Sequence, residues 1–260
     1  MARYSSRKRS GRGRIWTIVL VLILLVVAYI ADPAGFSEMV QHELGIPVGE
    51  NYTQQGDNIS IETQYINELP PYNGVDVIEL NNNIPDFNDY DENTASYVDF
   101  AELDGLGRTG TANAILGPET LPKTDREPMK NIKPSGWINV EYPDQIKEGY
   151  LYNRTHLIGF LLCGDSGTAE NLITGTRYLN ATLMLPYELK AARYIEDTGC
   201  HVRYQVEPVY EGSNLVASAV HMQAESVEDG GEGLAYNVVL YNVQPGIIIN
   251  YATGESMAKP

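Results

Sequence analysis

The sequence predicts an α+β domain, an antiparallel sheet with few helices. Short runs rich in β-branched and aromatic residues recur between clusters of Gly, Asn, Asp and Pro, the pattern of strands and turns. A single segment, residues 186–198, carries strong start and stop signals for a helix. No internal repeat is visible. The 43% apolar and 20% charged fractions over 260 residues suit a globular chain with a sizeable core.

Residues 75–80 (VDVIEL) form the first strand candidate, closed by Asn81–Asn83 and Pro85. Residues 96–106 and 109–116 are mixed, with Gly107 and Gly110 as punctuation. Residues 135–142 (SGWINVEY) and 149–156 (GYLYNRTH) read as paired strands around the turn residues Pro143 and Asp144. In the helix at 186–198, Pro186 suits the first turn and Gly199 the position just past the end. Leu185, Leu189, Ala192 and Ile195 fall on one of its faces. Three strand-like runs finish the chain, at 201–208, 215–225 and 234–242, joined by turns at 212–214 and 229–233.

The net charge of −16 argues against a nucleic-acid partner, since polyanion binding relies on Lys and Arg displacing counterions. The average hides an asymmetry. Residues 1–31 carry six basic residues and no acid, and residues 32–119 carry 17 acids against Arg108 alone. Residues 120–205 hold ten charges of each sign, and residues 206–260 hold seven acids against Lys259. Ten of the twelve basic residues beyond residue 31 thus lie in one neutral stretch, where an anionic substrate would be accepted. The plainer reading is that acidity keeps an exported chain soluble.

The basic head, residues 1–14, precedes an uncharged run at 15–31 (IWTIVLVLILLVVAYIA), at the lower limit for a membrane-spanning helix. The six positive charges place that end in the cytoplasm. Tyr29 is a poor −3 residue for cleavage before Asp32, which favours a signal anchor over a cleaved leader. The expected organisation is a transmembrane helix at 15–31, an acidic stalk or lead-in at 32–70 and an extracellular domain at 71–260. Cys163 and Cys200 would then lie where a disulfide can form, and a bridge and two buried thiols both remain open. Nothing in their spacing suggests zinc.

The chemistry-bearing stretch is 153–193. His156 follows a strand, with Arg154 two positions before it; Asn171 and Asn180 lie nine apart, and Glu188 eight beyond Asn180. Each alone has a plain reading: a structural histidine, capping asparagines, an acid favoured by a helix dipole. Together they fit phosphodiester hydrolysis, which needs a base of near-neutral pKa and a divalent ion. Magnesium keeps most of its waters, so one Asn and a water-linked Glu suffice, and an Arg can clamp a phosphate oxygen.

The segment resembles the DNA/RNA non-specific endonuclease family, with its ββα-metal (His-Me finger) core, including secreted and membrane-anchored DNA-entry nucleases of Gram-positive bacteria. The family signature DRGH is matched by Asn153, Arg154, Thr155 and His156, followed by LIG. Downstream, NLIT at 171–174 and RYLN at 177–180 resemble the family's asparagine-bearing stretch; upstream, LDGLGR at 103–108 and KPSGW at 133–137 resemble the secreted bacterial branch. The resemblance covers roughly residues 72–251. It implies a ββα-metal nuclease core with a central antiparallel sheet. It also implies His156 as general base, Asn180 as metal ligand, Glu188 as a carboxylate acting on the metal through water, and Asn171 as an orienting residue. Arg154, Arg177 and Arg126 would contact phosphate, and the cofactor would be Mg²⁺, with Mn²⁺ as the alternative.

Two positions depart from the signature: Asn153 stands for Asp and Thr155 for Gly. Loss of the carboxylate would loosen the strand that aims His156, and a β-branched Thr restricts the backbone there. Pro186 disfavours helical geometry at Leu185, so Asn180 and Glu188 are not expected on one straight helix. Eight residues of ideal helix would separate them by about 12 Å along the axis. The leading expectation is an extracellular, membrane-anchored, Mg²⁺-dependent nuclease acting on DNA, with RNA as a further substrate. The alternatives are a surface-tethered binding or uptake module that keeps the fold, and a secreted nuclease with a cleaved leader.

Overall fold

The computed structural model describes residues 69–87, 95–127, 132–147 and 149–260. The expected anchor at 15–31, with the head before it and the lead-in up to residue 68, lies outside the described residues. No helix of the described residues is long and apolar enough to cross a membrane.

In chain order the strands are β1 (Val77–Glu79), β2 (Tyr97–Phe100), β3 (Ala112–Leu116), β4 (Tyr152–His156), β5 (Leu172–Thr176), β6 (Val202–Val209), β7 (Ala219–Ser226), β8 (Ala235–Tyr241), β9 (Ile247–Ile249) and β10 (Ser256–Ala258). A short helix α1 (Phe160–Cys163) precedes β5, and α2 (Leu185–Thr198) precedes β6. Six strands make one antiparallel sheet in the order β1-β8-β7-β6-β3-β2, while β4 pairs with β5 and β9 with β10. The expected runs at 201–208, 215–225 and 234–242 correspond to β6, β7 and β8. The closing hairpin of β9 and β10 is an addition to the sequence reading.

Alternation explains β6: Val202, Tyr204, Val206 and Pro208 are buried while the residues between them are half-buried. Its inner face joins Val220, Met222, Val238 and Leu240 in a core closed by Leu183, Met184, Ala191, Ala192 and Ile195. On β7 and β8 the outer face is buried too, because residues 81–87 lie across it. Asp86 N–H donates to Gln223 Oε1 at 2.8 Å, and Asn237 Nδ2 donates to the Ile84 carbonyl at 2.8 Å. These polar strand residues are thereby satisfied without water.

Two expectations are corrected. The strand that ends in His156 pairs with β5, not with residues 135–142; its register runs from Tyr152 opposite Thr176 to His156 opposite Leu172. The expected pairing of 135–142 with 149–156 forms only at its turn end. There the Glu141–Tyr150 bridge is flanked by main-chain bonds from Tyr142 N–H to the Gly149 carbonyl and from Leu151 N–H to the Val140 carbonyl. Beyond it, Trp137 packs against Tyr152 and Arg154, and the Asn139 amide exchanges two hydrogen bonds with the Tyr152 main chain. A side-chain amide here takes the place of ladder bonds. Second, Leu185 is helical (φ −51°, ψ −39°) despite the following proline. Residues 179–184 form a π-helical segment that runs directly into α2. An α-helical turn would leave the Thr182 carbonyl without a donor and press it against the Pro186 ring; the wider π turn relieves both. Gly199 caps α2 in the left-handed region (φ 71°), as its position suggests. The fully buried face of α2 is Glu188, Ala191, Ala192 and Ile195, while Leu185 and Leu189 are half-buried. Both cysteines are free thiols.

Candidate active site

Strand β4, the turn after it and the π-helical segment with α2 surround a cleft of about 670 Å³. Arg126, Arg154, His156, Arg177, Asn180 and Glu188 all line it, six of the seven residues singled out in the sequence. Asn171, the seventh, lies behind the wall, fully buried.

His156 closes β4 and is 6% exposed. Burial lowers its pKa to about 4, and the charge of Arg126 pushes the same way; Asp165 and a hydrogen bond to the Ser166 main chain pull weakly upward. The imidazole is therefore neutral at pH 7. Its Nε2 is buried and has no hydrogen-bond partner among the described residues. With the ring proton donated to the Ser166 main chain, Nε2 is the lone-pair nitrogen, poised to accept a proton.

Asn171 holds the turn that follows. Its Oδ1 accepts from Leu157 N–H at 3.1 Å and Ile158 N–H at 2.9 Å, and its Nδ2 donates to the Ile158 carbonyl at 3.0 Å and Asp165 Oδ2 at 2.9 Å. All four capacities of the amide are used, so this residue orients the segment after His156 and leaves nothing for substrate. Asp165 was not foreseen from the sequence. Burial opposes its charge, yet bonds from Asn171 and Thr168 hold its carboxyl below the ordinary range, and it stands as an anion beside His156.

Of the two departures from the signature, Thr155 is accommodated sterically, while its buried Oγ1 finds no hydrogen-bond partner among the described residues. Thr155 is fully buried and packs over Gly175; a methyl placed on Gly175 would approach Thr155 Cβ to 2.7 Å. The bulk that the signature's glycine avoids is thus taken up by a glycine on the neighbouring strand. Asn153 lines the cleft, and the β4–β5 ladder beside it is intact.

Asn180 sits in the π-helical segment, half-buried, and its amide makes no hydrogen bond among the described residues. Glu188, about two turns on, is 7% exposed. Burial raises its carboxyl to about 7 against the Gly159 N–H and the Arg126 charge. Gly159 comes so close that an added methyl would meet Glu188 Oε1 at 2.7 Å. Eight α-helical residues make about 2.2 turns; the wider π turn removes part of that surplus over two turns, which brings Asn180 and Glu188 nearer one face.

The remaining walls are aromatic. Arg154 lies over the Trp137 ring at 4.6 Å and its Nε donates to the Ile132 carbonyl, while Arg126 lies over Phe160 at 5.8 Å. Trp137, Asn139, Tyr150, Tyr152 and Phe160 were missed as lining residues. The only available signals were Trp137 in the KPSGW stretch and the period-two placement of Tyr150 and Tyr152 with Arg154 and His156.

Comparison with known proteins agrees with this fold. The family profile described as DNA/RNA non-specific endonuclease matches residues 83–228. The chain is similar to NucA from Streptococcus agalactiae solved with no metal bound, at 29% identity over 75% of this chain and 92% of that one, TM-score 0.64. It is also similar to the same protein with a magnesium ion bound, at 28% identity over 73% and 90%, TM-score 0.63. Sda1 nuclease with a bound zinc ion gives 27% identity over 63% and 81%, TM-score 0.53. The profile covers more than half of the 260 residues, and the chain is a hydrolytic nuclease belonging to the DNA/RNA non-specific endonuclease family.

Proposed function

We propose that this protein is a Mg²⁺-dependent endonuclease that hydrolyses DNA, and RNA as a second substrate, with little sequence preference and outside the cell. The observation that carries this is the buried, unpartnered Nε2 of a neutral His156 in one cleft with the uncommitted Asn180 amide and the Glu188 carboxyl. Among the described residues no three His, Cys, Asp or Glu side chains converge on a metal position. The fitting donors are therefore oxygens, the Asn180 carbonyl oxygen directly and Glu188 through water. Few hard ligands suit Mg²⁺, as does the magnesium bound in the similar NucA structure. Bound there, a divalent cation would offset charge on the phosphate and the leaving oxygen.

The protein's own groups do the rest. His156 Nε2 takes a proton from water as its oxygen bonds to phosphorus in line, and the bond from phosphorus to the 3′-oxygen breaks, which leaves a 5′-phosphate. Asn171 fixes the turn after the base. Arg154, seated on Trp137, and Arg126, seated on Phe160, present planar guanidinium groups to phosphate oxygens, and Arg177 lines the same wall. Nothing in this set reads a base edge, which accounts for low sequence preference. The extracellular, membrane-anchored address rests on the uncharged run at 15–31 behind six positive charges. Protease added to intact cells should digest the nuclease domain while membrane pellets retain the full-length chain.

The test of activity is cleavage of plasmid DNA and of RNA by the full chain with Mg²⁺ and with EDTA. His156→Ala should lose about 10²–10⁴-fold in turnover with an unchanged circular-dichroism spectrum. Wild-type cleavage by that variant would make His156 structural and the mechanism wrong.

A further inference from the structure

The inference concerns Tyr150 and rests on the nuclease reading above. Tyr150 lines the mouth of the cleft and is 51% exposed. The other aromatic rings of the cleft are engaged. Trp137 carries Arg154 and packs 6.4 Å from Tyr152, and Phe160 carries Arg126. Tyr150 has no ring or cation partner among the described residues. Glu141 is its partner across the bridge between the two chain segments, and that carboxylate beside it raises the Tyr150 hydroxyl above its ordinary range. The bridge holds the Tyr150 main chain in place, and the half-exposed ring stands at the rim of an anion-binding cleft.

Two physical points select the occupant. Tyr150 lies two residues before β4 and six before His156, so the two line the cleft at most about 20 Å apart at 3.3 Å per residue. That places the ring up to a few nucleotides from the scissile phosphate. The Glu141 carboxylate beside the ring also repels phosphate, so the backbone of a bound strand is driven toward the arginines and a base is left for the ring. In a duplex the base faces are covered by their neighbours, whereas an unpaired base can lay its π face on an aromatic side chain.

We propose that Tyr150 is a base-stacking platform that gives the cleft a preference for unpaired nucleotides on the strand being cut.

The test is fluorescence anisotropy with the full chain carrying His156→Ala, in EDTA, so that nothing is cut. Three probes are used: labelled oligothymidylate, an abasic chain of the same phosphate count, and a hairpin duplex. Adding Tyr150→Ala should weaken oligothymidylate binding by about 5–100-fold and leave the abasic chain and the duplex within about twofold. Tyr150→Phe, which keeps the ring, should retain most of the affinity. Equal losses on all three probes would make Tyr150 a phosphate contact or a structural residue, and no loss on oligothymidylate would remove it from the site; either result overturns the proposal. Absence of plasmid cleavage by the parent chain would sink the nuclease reading instead, while the binding ratios would still decide the role of Tyr150.

Discussion

Glu188 is the one carboxylate among the described residues that line the cleft, and its burial should be measurable as stability. Burial raises its carboxyl from an ordinary 4.5 to about 7, and the Gly159 N–H and Arg126 only partly oppose this. The folded chain thus holds the proton more tightly than the unfolded chain. Below 4.5 both states are neutral at this position and no cost arises. As pH rises from about 4.5 to 7 the unfolded chain ionises first, so stability falls; above about 7 the whole cost is present. The distance from 4.5 to about 7, at about 1.4 kcal/mol per pH unit, amounts to at most about 3 kcal/mol. Glutamine keeps an oxygen for the Gly159 N–H and carries no charge. Glu188→Gln should therefore be more stable than wild type by up to about 3 kcal/mol at pH 8 in EDTA, on the order of 6–12 °C in Tm for a domain of this size. The gap should close toward pH 4.5. Mg²⁺ should shrink or reverse it, because an ion that binds the ionised folded site stabilises wild type selectively. Thermal unfolding followed by circular dichroism from pH 5 to 8, with EDTA and with Mg²⁺, reads all of this. A variant less stable than wild type in EDTA at pH 8 would refute the reasoning, since the ionised carboxylate would then be a net gain to the fold.

Asn180→Ala should weaken apparent Mg²⁺ affinity and activity together, since a site with so few protein donors cannot spare one; an unchanged Mg²⁺ midpoint in a cleavage titration would remove Asn180 from the coordination sphere. Asn171→Ala should cost about 1–3 kcal/mol by leaving the buried Ile158 N–H and Asp165 without their partner; urea unfolding measures the loss, and turnover should drop because the turn after His156 loosens. Binding to duplex DNA should show a shallow salt dependence, about −0.9 in log–log slope for each of roughly two to four phosphate contacts. A slope worth eight or more contacts would reveal a basic surface that the sequence does not show.

Much of the sheet was legible because its signal is local. The runs that became β6, β7 and β8 alternate or continue apolar between glycine-rich turns, and a Pro start with a Gly stop framed α2. Pairing was less legible. Residues 135–142 and 149–156 are neighbours in sequence with a turn between them and read as a hairpin. The hairpin forms beside the turn, at 140–142 and 149–151, while β4 beyond it finds its ladder in β5 across a long connection. Nothing local records that the Asn139 amide would substitute for ladder bonds on the other side. The π segment was hidden for a similar reason: Pro186 signals a break under α-helical rules, and only the packed chain shows a wider turn carrying the helix through. At the site, motif spacing pointed to His156, Asn180 and Glu188, whereas Asp165 and the aromatic seats of the arginines come from separate segments and appear only when these converge.

The acidity of the chain also takes on a different sense once the cleft is built. A net charge of −16 would repel a polyanion if it were spread evenly. Among the described lining residues the cleft wall instead carries Arg126, Arg154 and Arg177 against the Glu188 carboxyl, and burial keeps that carboxyl half-protonated near pH 7. Beyond a Debye length of about 8–10 Å the surrounding acids are largely screened at physiological salt, whereas contacts inside the cleft are not. Arginines seated on aromatic rings lose less freedom when they meet phosphate than free side chains would. Attraction is thereby concentrated in the cleft that holds His156. Such a nuclease meets its substrate by short-range fit rather than by long-range steering. Under the proposed mechanism its dependence on the cation should be correspondingly strong, since the described cleft residues supply only a few positive charges at the scissile phosphate.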